Sequence, residues 1–137
     1  FTPRPDWSLV RNHDDVARLL AAGSQIVDAR PSGRFAGVDP EPREGLRGGH
    51  MPGAINLPYA SLLRPDGTLK RPDDLARIVA DAGIDLARPV TASCGSGVSA
   101  CVVLLALAVL GHRDGSLYDG SWAEWGAREG AAIVTGA

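Results

Sequence analysis

Val90-Thr-Ala-Ser-Cys94-Gly-Ser-Gly-Val-Ser99-Ala100 holds a strand, a tight loop and a helix start in one short run. Pro89-Val-Thr-Ala-Ser93 reads as a short strand, and Ser99 to Leu110 as a strongly apolar helix closed by Gly111. In α/β sheets, the crevice outside the carboxyl end of a strand is where ligands bind. Gly95 and Gly97 can take backbone angles that other residues resist, so successive N–H groups can turn inward. The result is an anion-holding nest at the positive end of a helix. A cysteine there should ionise below its free value of about 8.5. Thiolate, not thiol, is the nucleophile, so Cys94 is the candidate catalytic residue.

On either side of this run, short apolar strands alternate with helical patterns. Asn12 can cap a helix with Val16, Leu19 and Leu20 on one face, ended by Gly23. Gln25 to Asp28, Ala54 to Asn56 and Leu117 to Asp119 read as strands. Pro72 with Asp73 and Asp74 opens a helix carrying Leu75, Ile78 and Val79 that ends near Gly83. Strands alternating with helices imply a parallel sheet covered on both faces, an α/β fold. The stretch from Arg30 to Pro52 is rich in proline, glycine and charge and lacks periodicity; long loops of this kind carry function. The opening, Phe1 to Arg11, reads as an extended linker arm with two early prolines.

Composition narrows the function classes. The chain of 137 residues suits one domain, and 45% hydrophobic residues suffice for a core without disulfide staples. A formal net charge of −2 gives no reason to expect a nucleic-acid or anionic-membrane partner. The apolar run Ala100 to Leu110 is about half a bilayer span, so a buried helix is expected. The two cysteines match no zinc spacing, no metal site is expected, and a reducing, cytoplasmic setting follows. Cys101, amid alanine, valine and leucine, is expected to pack in the core. The chain opens on Phe1 with no signal peptide visible, and a piece of a longer protein is expected.

Cys94-Gly-Ser-Gly-Val-Ser-Ala100 resembles the active-site loop of the mercaptopyruvate sulfurtransferases of the rhodanese superfamily, whose usual form has threonine in place of Ser99. Three further segments fit the same resemblance: Val27-Asp-Ala-Arg30 with Gly33-Arg-Phe35, Gly49-His-Met-Pro-Gly-Ala-Ile-Asn56, and Asp119-Gly-Ser-Trp122. They come in the order of the second, catalytic domain of a two-domain protein. The resemblance implies a rhodanese-like fold, a parallel sheet of about five strands with helices on both faces, over residues 12–137. It implies sulfur moving from 3-mercaptopyruvate or thiosulfate through a Cys94 persulfide to a thiol, a thioredoxin-like protein or cyanide. No cofactor is implied, and the partner implied is an N-terminal rhodanese domain of the same protein.

The resemblance also assigns roles. Arg34 and Arg43 would hold the donor's carboxylate and keto oxygen, a task suited to the planar guanidinium fork. Gly95, Gly97, Val98 and Ser99 would line the substrate, and the Ser96 hydroxyl would reach the bound sulfur. Ser99 can equally cap the helix. Arg30 and Asp28 are expected to tie loop backbone, His50 to be a scaffold residue, and Trp122 and Trp125 to pack. Arg47 has a weaker claim on the site. Cysteine phosphatases and arsenate reductases need an arginine six residues after the cysteine, where this chain has Ala100. A thiosulfate-specific enzyme and a non-catalytic persulfide carrier stay open.

Overall fold

The computed structural model describes residues 1–137. Five parallel strands form one sheet: β1 (Val10–Arg11), β2 (Gln25–Asp28), β3 (Ile55–Asn56), β4 (Val90–Ser93) and β5 (Gly115–Tyr118), in the spatial order β1-β5-β4-β2-β3. The helices are α1 (His13–Ala21), α2 (Ser32–Phe35), α3 (Pro72–Asp81), α4 (Ala100–Val109) and α5 (Ser121–Trp125). β4 lies at the centre, between β2 and β5, and every residue of β2 and β4 is buried. That explains their unalternating sequences, since central parallel strands are covered on both faces.

Neighbouring residues of one strand feed opposite cores. Val27 joins Leu62, Leu75, Val79, Val103 and Leu107 on the face covered by α3 and α4. Ile26 joins Val16, Met51, Tyr118, Trp122 and Trp125 on the face covered by α1 and α5. α1 starts at a capping box in which the Asn12 and Asp15 side chains bond each other's backbone N–H, and it buries Val16. α3 starts with Pro72 and two aspartates in its first turn.

Three expectations need correction. The arm expected over residues 1–11 ends early: Asp6 caps a turn of 3-10 helix at Trp7–Leu9, and Val10–Arg11 is the fifth strand, paired with β5. Two residues are too few to show periodicity; only their partner defines them as a strand. α4 is not a buried helix. Ala100, Val103, Ala106 and Leu107 face the core, while Leu105 is 55% and Val109 47% exposed. Cys101 is exposed too, its Sγ 3.5 Å from the Gly97 carbonyl, instead of packing in the core.

The long loop from Arg30 to Pro52 has only α2 for regular structure, yet it is tied at its base. The C-terminal tail pairs with it through His50 and Val134, which exchange two backbone hydrogen bonds of 2.9 and 3.0 Å. Gly136 N–H donates to the Ala36 carbonyl at 2.9 Å. No helix is long and apolar enough to cross a membrane.

Candidate functional site

Cys94 follows the last residue of the central strand and is 1% exposed. Its backbone is fixed from the far side by the start of α5. Cys94 N–H donates to Ser121 Oγ at 3.0 Å, and its carbonyl accepts from Trp122 N–H at 2.9 Å. Ser121 Oγ in turn donates to the Tyr118 carbonyl at 2.8 Å. Ser121 is fully buried at φ 51°, a left-handed conformation costly for a residue with a side chain. Strain of that kind persists where surrounding bonds hold it, and here they hold the nucleophile's backbone.

Burial pushes the Cys94 thiol up, but four hydrogen bonds to the sulfur outweigh it and leave the value below that of an ordinary cysteine. The donors are the Ser99 hydroxyl and the backbone N–H groups of Ser96, Ala100 and Ser99. Ser99 is therefore not a helix cap: its side chain makes no capping bond to α4. Ser96 contributes its backbone N–H to the Cys94 sulfur, and its side chain lines the space beside it. Of the two loop glycines, only Gly97 has positive φ, at 85°, and a Cβ there would meet the Asp119 carbonyl at 2.9 Å. Gly95 instead lets the Arg34 guanidinium come close. A Cβ on it would lie 3.0 Å from Arg34 Nη2.

Beside the sulfur is a cavity of about 360 Å³. It gathers Cys94 with Arg34, Arg43, Gly95, Ser96, Val98 and Ser99, all candidates from the sequence; Gly97, in the same loop, is outside the lining. Glu41, Leu46 and Tyr59 also line it, and no pattern in the sequence marked them. A larger cavity of about 540 Å³, between α1 and residues 125–132, shares no lining residue with this one and contains no cysteine.

The two arginines differ in how they are held. Arg43 is exposed at the cavity and has no hydrogen-bond or ion-pair partner, so it is free to meet an anion. Arg34 ends a buried ladder of alternating charge. Its Nη2 lies 2.5 Å from Glu41 Oε2, and Glu41 Oε1 lies 2.7 Å from Arg30 Nη1. Arg30 Nη2 lies 2.6 Å from Asp28 Oδ2, and the guanidinium stacks 4.1 Å from the Trp122 ring. Burying Asp28, Arg30 and Glu41 costs desolvation, but each has an opposite partner at hydrogen-bond distance, and Arg34 at the end stays partly exposed. Arg30 also donates to the Gly49 carbonyl, and Asp28 accepts from Arg30 N–H, as their loop-tying roles required.

The remaining candidates lie outside the cavity. His50 Nδ1 is 2.8 Å from the Phe35 carbonyl and its ring stacks on Phe35, which is a scaffold position. Arg47 donates to carbonyls of residues 125–131, far from the sulfur's lining. Trp122 and Trp125 are buried. The arrangement can stabilise a thiolate, then a persulfide, next to guanidinium groups that accept a carboxylate.

Residues 12–128 match the profile of the Rhodanese-like domain. The chain is 43% identical to 3-mercaptopyruvate sulfurtransferase of Mus musculus over 126 residues, covering 91% of this chain and 42% of that protein. It is 42% identical to thiosulfate sulfurtransferase of the same species over 127 residues, covering 91% of this chain and 43% of that one. The crystal structure of SseA from Escherichia coli, a 3-mercaptopyruvate sulfotransferase by its description, superposes with a TM-score of 0.75 at 41% identity, covering 89% of this chain and 45% of that one. The chain thus spans less than half the length of the relatives it matches.

Proposed function

The chain belongs to the rhodanese-like domain family, and from that premise we propose that it transfers sulfur from 3-mercaptopyruvate through a persulfide on Cys94. The observation that carries this is the lowered Cys94 thiol, held by one hydroxyl and three amides beside Arg34 and Arg43. In the first half-reaction the Cys94 thiolate attacks the donor sulfur and the donor's carbon–sulfur bond breaks. The bonding pair leaves as the enolate of pyruvate, and the donor's thiol proton ends on its methyl carbon. Cys94 is left as the persulfide anion. In the second, an acceptor thiolate or cyanide attacks the outer sulfur, and the Cys94 thiolate departs. Loop amides hold the negative sulfur throughout, and the arginines hold the acid and the developing enolate. No cofactor takes part.

Relatives of two names match, at up to 49% identity for the mercaptopyruvate enzymes and 42% for the thiosulfate enzymes, so the choice of donor rests on the loop as well. Gly95 and Ser96 bring no charge after the nucleophile, which suits a monocarboxylate with a carbon chain better than the compact thiosulfate dianion. A second rhodanese domain, preceding this one, is the proposed partner over the open mouth, where Val98 is 76% exposed. The greater length of the relatives supports it. A persulfide carrier that lacks turnover is the alternative, disfavoured by the complete thiolate cradle.

One experiment tests the reading. Brief exposure to mercaptopyruvate should raise the intact mass by one sulfur; Cys94→Ser should lose the gain and Cys101→Ser keep it. With cyanide present, thiocyanate should form with a higher kcat/KM from mercaptopyruvate than from thiosulfate. It should form faster still when a preceding rhodanese domain is joined. A gain of sulfur surviving in Cys94→Ser would sink the assignment, and a preference for thiosulfate would sink the choice of donor.

A further inference from the structure

The ladder contains a residue that the sulfur-transfer reading leaves idle. Glu41 has its side chain 1% exposed and lines the cavity, and its two oxygens are divided between Arg30 and Arg34. Arg30 is immobile: it is 1% exposed, forked onto Asp28 at the end of β2, and stacked on Trp122. Glu41 therefore carries the rigidity of the central sheet out to an arginine that would otherwise be a free side chain of many rotamers. The Arg34 side chain makes no other hydrogen bond. Its Nε is enclosed without a partner, which leaves Nη1 as the nitrogen open to the cavity.

We propose that Glu41 is the positioning residue of the acid clamp: by holding Nη2, it aims the rest of the Arg34 fork at the donor's carboxylate beside Cys94. The inference deepens the proposed function and rests on its view of Arg34 as an anion-holding group. Geometry and charge make opposite demands here, which makes the idea testable. Glu41 is a carboxylate next to the site, so through charge alone it repels an anionic reagent, and its loss would improve capture. Through position it makes Arg34 effective, and its loss would impair capture. A misplacement on the order of 1 Å in such a clamp costs up to about a hundredfold, more than one partly screened charge supplies. Position should win.

The test uses two alkylating reagents of similar size, iodoacetate and neutral iodoacetamide, reacting with Cys94 of the 137-residue chain. The ratio of the two rates reads the acid clamp without any sulfur transfer. Glu41→Gln should lower the iodoacetate-to-iodoacetamide ratio by about tenfold, with the iodoacetamide rate little changed. Glu41→Asp, which keeps the charge and shortens the reach, should fall between and serves if the glutamine variant does not fold. A ratio that rises would show Glu41 to be a charge and nothing more. An unchanged ratio, with both rates moving together or neither moving, would make it a structural residue only. In either case the inference falls. Persulfide formation by the unsubstituted chain, measured alongside, is independent: its absence would overturn sulfur transfer whatever the ratio does.

Discussion

Ser99 stands at the first turn of α4, yet its hydroxyl goes to the sulfur of Cys94. Burial alone would hold the thiol up, so each bond to the thiolate counts. Thiolate is the deprotonated form, and a lowered value increases its share at neutral pH. The rate of Cys94 alkylation should thus fall as pH drops through a midpoint below that of an ordinary cysteine, and be flat above it. Ser99→Ala removes the leading stabilising bond and should move that midpoint upward. Alkylation by iodoacetamide across a pH series checks this, and a midpoint unmoved by the substitution would refute the hydroxyl's role. Cys94 was legible in the sequence because glycine and serine surround it. Cys101 was not, since an all-apolar helix does not say which of its faces the fold covers.

The cysteine loop turns between β4 and α4 at Gly97, where positive φ and the nearby Asp119 carbonyl both exclude a Cβ. Gly97→Ala should destabilise the fold by about 1–3 kcal/mol, seen as a lower Tm, and should also slow alkylation of Cys94. Full stability would mean that the turn can relax in another way. The strand-loop-helix junction was legible because a short apolar run, glycines and a long apolar run each have a local cause. β1 was not, because two residues become a strand only through pairing with β5. The loop that carries Arg34, Glu41 and Arg43 was legible as a candidate for function, but not as rigid. Its rigidity comes from ion pairs to Arg30 and from a tail almost a hundred residues later in the chain.

Seen whole, the molecule sets Cys94 just past the central strand and the proposed acid clamp on a loop that residues 134–136 hold down. The two should be separable. Deleting residues 133–137 removes the His50–Val134 and Ala36–Gly136 bonds and leaves every donor to the Cys94 sulfur in place. The shortened chain should keep iodoacetamide reactivity at Cys94 and lose much of its preference for a carboxylate-bearing donor, read as a raised KM for mercaptopyruvate. Equal loss of both would mean that the tail supports the whole fold instead.

The same tail gives the protein a timetable. Along the chain the arginine loop comes before Cys94, and Ser121 and Val134 come after both. A chain grown only as far as Cys94 therefore has neither the Ser121 hydroxyl that accepts from the Cys94 N–H nor the Val134 backbone that pairs with His50. The cysteine loop and the arginine loop are thus each completed by residues that come later in the chain than themselves.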